Sequence, residues 1–405
     1  MTSQVANTKS CDQAYARSES GNGYENVSRP AIFKFSCAGK EPDTRIVVFD
    51  REFHVDEIVL KMYSTWFRKS IEGNGRGNST EFQLWKNDYV SVIAEDGDDW
   101  TLEPKSRSVS ASDPERFEKK LDRFNHFCDP RRRRCNDENH FMDGSKRASL
   151  DSEAFYKLLC AMYHVRTSIA SVEELVTVTS IADYYCALPI VSASIDASLL
   201  NDDGLFYRHR AYMFAEFEMD EALNAAVRLR HPVLFRELVV MAVSEWNVDI
   251  DPDRFKGLGN NIRLAIVTAA QRISAMSNKA RSELYRASCN PFSDLTEEAA
   301  DDIRQRLQGY LLAQLEKNPY RSCYVHYSEQ MEYLQAIKSD DPENDSGDDS
   351  EFYGRALDSL INILGELLKV NLRLSPIPEP KEREGLLCAE VPDDELPWDA
   401  TETYW

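Results

Sequence analysis

The chain has 405 residues with 42% hydrophobic and 29% charged side chains, which is ordinary globular usage and excludes wholesale disorder or a disulfide-held miniprotein. Its net charge is -21, from 48 Lys+Arg against 69 Asp+Glu. That excess repels phosphate backbones and argues against direct nucleic-acid binding.

No basic segment followed by an apolar one opens the sequence, and no apolar run reaches membrane-spanning length. The expectation is a protein of the cytoplasm or nucleus, neither secreted nor membrane-embedded. Nine cysteines without framework spacing fit a reducing compartment.

Residues 1–28 are rich in Ser, Asn, Gly and Gln and have no apolar period, so they read as a disordered tail. From Ile32 the pattern changes. Ile32-Phe33-Lys34-Phe35 and Arg45-Ile46-Val47-Val48-Phe49 are β-branched or aromatic runs separated by the Gly39–Pro42 breaker. Asp50-Arg51 turns into Glu52-Phe53-His54-Val55, which predicts a hairpin. Asp56 is placed to cap a short helix through Ile58, Val59, Leu60 and Met62, and Ser64 to cap a second through Trp66, Phe67 and Ile71.

Residues 105–148 carry dense charge of both signs and few aliphatics, and read as a long inserted loop. Helical spacing then resumes at Phe155, Leu158, Leu159 and Met162, and again at Leu175, Val178, Ile181, Ala182 and Tyr185. Beyond Leu205 the pattern is helical, with helices expected over 211–229, 232–247, 261–288, 295–317, 321–338 and 352–373. The expected organisation is a helical region over 205–338, an acidic linker over 339–351, a helix over 352–374 and an acidic disordered tail over 375–405. The linker holds seven acids and no base, and residues 376–405 hold nine acids and two bases. These two segments carry -14 of the -21, so the remaining body is only mildly acidic.

The stretch from Asp43 to Leu60, with Ser64-Thr-Trp-Phe-Arg-Lys69, resembles the opening of a BTB/POZ domain. Ser152 to Tyr163 resembles that family's central helix, and Ser171 to Pro189 its final helical pair. The resemblance covers Ile32 to about Leu200, placing a BTB/POZ domain with its inserted loop over 29–200. It implies an α+β fold, a small mixed sheet flanked by helices, followed here by an all-helical region. Two departures stand out. Asp56-Glu57 replaces the family's usual His-Lys pair, and the insertion separates the Trp100-Thr-Leu-Glu103 strand from its helix.

Catalytic signatures are absent: there is no phosphate-binding Gly loop, no nucleophile elbow and no His-Glu-x-x-His. Gly73-Asn-Gly75-Arg-Gly77 follows a helix and reads as a loop. His126, Cys128, Cys135 and His140 match no common zinc spacing, so neither metal nor cofactor is expected. Arg131, Arg132, Arg133 and Arg134 form a candidate nuclear-import patch, weighed against a solvated charge run. From Glu95 to Leu150 twelve bases meet thirteen acids, so the segment as a whole is not basic.

The function expected is therefore non-enzymatic: a protein-interaction scaffold or adaptor. The family resemblance implies self-association and, in many members, a cullin-3 ubiquitin ligase partner. Met62, Trp66, Phe67, Ile71 and Glu72 are the candidate partner-binding residues, with core packing the alternative for Met62, Trp66 and Phe67, and the resemblance itself implies a buried Phe67. Ser70-Ile71-Glu72 stands where the family carries a hydrophobic-x-Glu motif, and its hydroxyl forgoes about 1–2 kcal/mol of apolar contact. The alternative is a nuclear transcriptional co-regulator acting through BTB-mediated oligomerisation. The Asp393–Trp405 segment, aromatic in an acidic context, has a composition suited to a partner's basic-apolar groove or to an inert tail.

Overall fold

The computed structural model describes residues 30–37, 39–73, 84–96, 99–105, 114–126, 146–199, 216–244, 257–289, 323–339, 348–374, 385–399 and 401–402, with isolated positions at 255, 297, 301, 304–306 and 308–309. The expected N-terminal tail, the Arg131–Arg134 patch, Cys128, Cys135, His140 and most of the expected 295–317 helix lie outside them.

Five strands form one mixed sheet: β1 (Ala31–Lys34), β2 (Thr44–Val48), β3 (Arg51–Val55), β4 (Asn87–Ile93) and β5 (Trp100–Pro104). Their order is β1-β3-β2-β4-β5. The predicted hairpin is β2–β3, antiparallel, with Val48 opposite Arg51. β1 runs parallel to β3 and β4 parallel to β2, while β5 closes antiparallel on β4. Strict alternation in β2 sends Thr44, Ile46 and Val48 inward, as a period of two requires when one face is covered.

The hairpin turn places Phe49 at φ 49°, where a bulky side chain is strained. Its ring sits 5.2 Å from that of Trp100 and 5.5 Å from that of Phe124, and its N–H donates to Ser91 Oγ at 3.0 Å. Packing on three sides holds the conformation.

Helices α1 (Glu57–Tyr63) and α2 (Thr65–Gly73) connect β3 to β4, and α3 (Pro114–His126) follows β5. This third helix lies inside the segment expected to be loop. Phe117, Leu121 and Phe124 at spacings of four and three pack against the main core, and Arg147 stacks 4.0 Å from the Phe124 ring centre. Next come α4 (Lys146–Met162), α5 (Val172–Tyr184) and α6 (Leu188–Leu199). Ser171 caps α5 by accepting from the Glu174 N–H, as its side-chain type favours.

The second half supplies α7 (Glu216–Arg228), α8 (Pro232–Ser244), α9 (Asn260–Cys289), α10 (Cys323–Ser339) and α11 (Asp348–Leu368). The last helix begins inside the expected acidic linker. The result is an α+β protein, mostly helical among the described residues. The main core joins the sheet, α4–α8, Ile262 to Ala270 of α9 and residues near the end of the chain. A second core packs Ala280 and Leu284 of α9 against Tyr327, Leu334, Leu357 and Leu364. Ile273 touches both, so the long α9 is the beam between them.

Residues 385–391 depart from the expected disordered tail. Leu386, Leu387, Cys388, Ala389 and Val391 are buried, because this apolar run supplies core surface that the surrounding acids do not dilute. Asn371 pins the run by donating to the Cys388 and Ala389 carbonyls at 3.0 Å, and Gly385 passes so close to the Ser244 carbonyl that a Cβ would lie 1.8 Å from its oxygen. Buried Glu237 of α8 accepts from the N–H groups of Arg373 at 2.7 Å and Leu374 at 3.0 Å.

Candidate interaction surface

Five residues were expected to bind partners, all on α1 and α2. The geometry of this helix pair starts from its acids. Asp56 precedes α1 without capping it through its side chain. Its buried carboxylate instead accepts from the Cys37 N–H at 3.0 Å and lies 3.5 Å from Lys40. The Asp56 N–H donates to Tyr163 Oη at 2.6 Å, and burial pushes that phenol above its ordinary range, keeping it protonated.

Glu57 is buried as well. Burial alone raises its carboxyl, but hydrogen bonds from Lys61 and Lys86, each at 2.6 Å, and from Asn87 at 3.2 Å outweigh this and bring it down to about 2. The Asp56-Glu57 pair is thus wired into the sheet and α4.

Ser64 does what its position predicts. Its Oγ accepts from the Phe67 N–H at 3.0 Å and donates to the Tyr185 carbonyl at 2.5 Å, tying the start of α2 to the end of α5. This bond draws α2 onto an aromatic cluster. Phe67 is fully buried, stacked on Tyr185 and edge-on to Trp66 and Tyr89. The expectation that Phe67 contacts a partner is therefore corrected: its side chain is core. Trp66 is half-buried against Tyr185 at 4.9 Å, and Ile71 packs partly on the same core.

Of the five, Met62 and Glu72 remain exposed. Met62 is 58% exposed and Ile58, one turn earlier on the same face, 63%. Ile58 was not among the expected residues. The signal was present in the sequence, since Ile58, Val59, Leu60 and Met62 cannot all face inward from a helix of seven residues. Val59 and Leu60 take the core side and leave the other two in solvent. Ser70, at the head of the Ser-Ile-Glu triplet, is half-buried with its Oγ 3.3 Å from Tyr89 Oη.

Among the described residues no group of three or more His, Cys, Asp or Glu is disposed to hold a metal ion. Likewise no helix there is long and apolar enough to cross a membrane. A shallow cleft of about 480 Å³ between α10 and α11 is lined by Tyr324, Met331, Glu332, Glu366 and Lys369, an open surface feature rather than an enclosed site. No family model matches this chain, and neither a curated protein nor a solved structure does.

Proposed function

We propose that this protein is a non-enzymatic interaction scaffold whose first half is a BTB/POZ-like domain presenting α1 to a protein partner. The observation that carries the reading is the Ile58–Met62 pair, two large apolar side chains left in solvent on one helical face. Solvating such a pair costs free energy that a partner surface recovers. The element order supports the family reading: a first strand and hairpin, a helix pair, a second hairpin, then, after the inserted α3, helices α4 to α6.

Within this reading the partner is a second copy or cullin-3. Glu72 is available to either, whereas Ile71 is largely committed to the core. The test compares the wild-type full chain with an Ile58→Asp/Met62→Asp variant in sedimentation velocity and in binding to purified cullin-3. The expected outcome is association in one of the two assays, lost in the variant at unchanged circular dichroism. A wild type that neither self-associates nor binds cullin-3 overturns the proposal.

A further inference from the structure

Residues 385–402 contain six acids and no base. They divide in two. The 385–391 stretch supplies the five core residues described above, whereas 392–399 and 401–402 lie on the surface as an arm over α8 and α9, starting with a short turn at Asp393–Glu395.

The arm meets a cation at nearly every turn. Arg236 of α8 pairs with Asp393 and donates from Nε to the Val391 carbonyl at 2.7 Å. Arg272 of α9 pairs with Glu395 and donates to the Glu390 carbonyl at 2.9 Å. Arg230, after α7, pairs with Glu402 at 2.7 Å. Between these contacts Trp398 meets Phe235 edge-on, ring centres 5.5 Å apart at 76°. A cleft of about 260 Å³ beside it is lined by Arg230, Pro232, Leu396, Trp398, Asp399 and Glu402.

The groove under the arm is thus basic and aromatic, and its arginine forks suit carboxylates. Two of the arm's three ion pairs are weak surface pairs, the Asp393 and Glu402 side chains being 86% and 50% exposed, whereas Glu395 is 26% exposed and Leu396 and Trp398 pack partly on the main core. Letting go beyond Val391 leaves Leu387, Ala389 and Val391 in the core.

We infer that the groove of Arg230, Phe235, Arg236 and Arg272 is a peptide-recognition site for an extended acidic segment carrying a tryptophan, supplied by a partner protein. The chain's own arm is its resident occupant. Its chemistry, acids flanking Leu396-Pro397-Trp398, is the pattern the partner segment reproduces. Tethering keeps the arm at an effective concentration of order mM, so the partner must outcompete it.

The probe is a fluorescently labelled peptide of residues 390–402, and the readout is anisotropy with full-length protein. Two variants open the groove by different routes, Trp398→Ala and Asp393→Asn/Glu395→Gln. Each is expected to bind the probe at least about tenfold more tightly than wild type, whose groove is already filled. Affinity is expected to fall several-fold between about 50 and 300 mM salt, and to be lost when Arg236→Glu and Arg272→Glu are added. Failure of both opened variants to bind, at wild-type circular dichroism, overturns the inference. So does equal binding by wild type, or displacement of the probe by duplex DNA as readily as by unlabelled peptide, which would mark a general anion surface.

Discussion

Phe67 and Tyr185 lie ring on ring, centres 5.4 Å apart and planes 11° from parallel, across the joint between α2 and α5. The carbonyl of Tyr185 also receives the Ser64 hydroxyl, so one residue near the end of α5 fixes both the cap and the first buried aromatic of α2. Phe67→Ala should cost about 3–5 kcal/mol, the range for emptying a fully buried aromatic site. Met62→Asp, on the exposed face, should stay within about 0.5 kcal/mol. Urea titrations of the two variants check this, and a comparable loss for both would place Met62 in the core.

Glu57 makes stability acid-sensitive. Its folded carboxyl titrates at about 2, below the 4.5 of an unperturbed glutamate, so the unfolded chain takes up the proton first as pH falls. The contribution is therefore complete above pH 4.5 and lost on descent to about 2. Because the Lys86 partner is largely solvent-exposed, screening holds it to about 1–2 kcal/mol. Glu57→Gln should flatten this limb in thermal melts across that range. An unchanged pH dependence would mean that the lysine contacts do not hold the charge.

His231 imposes a second pH dependence, near neutrality. Its Nδ1 accepts the Leu234 N–H at 3.1 Å, which leaves the proton on Nε2 to face Asp196 at 3.1 Å. Burial lowers the imidazole below its ordinary 6.5 although Asp196 opposes the shift. The folded state thus resists the proton that the unfolded state accepts, and stability declines as pH falls below about 6.5. His231→Ser keeps a capping oxygen and removes the titration. Its stability should be level from pH 7 to 5.5 in chemical denaturation, where wild type declines.

Three helices end on left-handed residues that are not glycine: His164 after α4, Cys186 after α5 and Arg230 after α7. Each is followed by a residue whose N–H reaches back five positions, as at Ala187 N–H to the Ala182 carbonyl, 2.7 Å. Cys186 is exposed and carries a side chain where none is favoured. Cys186→Gly should raise stability by about 1 kcal/mol. A fall in melting temperature would show that the thiol contributes more than the strain removes.

These helix ends explain part of what pattern reading misses. Glycine marks helix stops in sequence, and here His, Cys and Arg occupy the stop positions, so the boundaries were signalled only by the prolines that open the next helices, Pro189 after Cys186 and Pro232 after Arg230. The β2–β3 hairpin, the Ser64 cap and the apolar faces of α4, α5, α8 and α11 were legible because strand and helix periods are carried by the residues themselves. Two segments were not legible, for one reason: charge density. In α3 the Phe117, Leu121 and Phe124 stripe is interleaved with Glu, Lys, Asp and Arg, and in 385–391 five buried residues sit between acid-rich stretches. Of the candidate surface, α1 and α2 were located and the family resemblance implied Phe67 inside, where it stacks on Tyr185, but the facing of α1 was not read and Ile58 was passed over.

The bond from Glu237 to the backbone at Arg373 and Leu374 closes a loop of more than 130 residues, and Leu387 and Val391 complete the same core from still further along. During synthesis α8 therefore waits for about 150 residues before its last neighbours leave the ribosome, at elongation rates of about 5–20 residues per second. For about 8–30 s α8 lacks the part of its core that the late residues supply. Chaperone dependence of this protein should concentrate on α8, and fusing a large tag just after residue 374 should leave a chain that aggregates rather than one that merely lacks a tail.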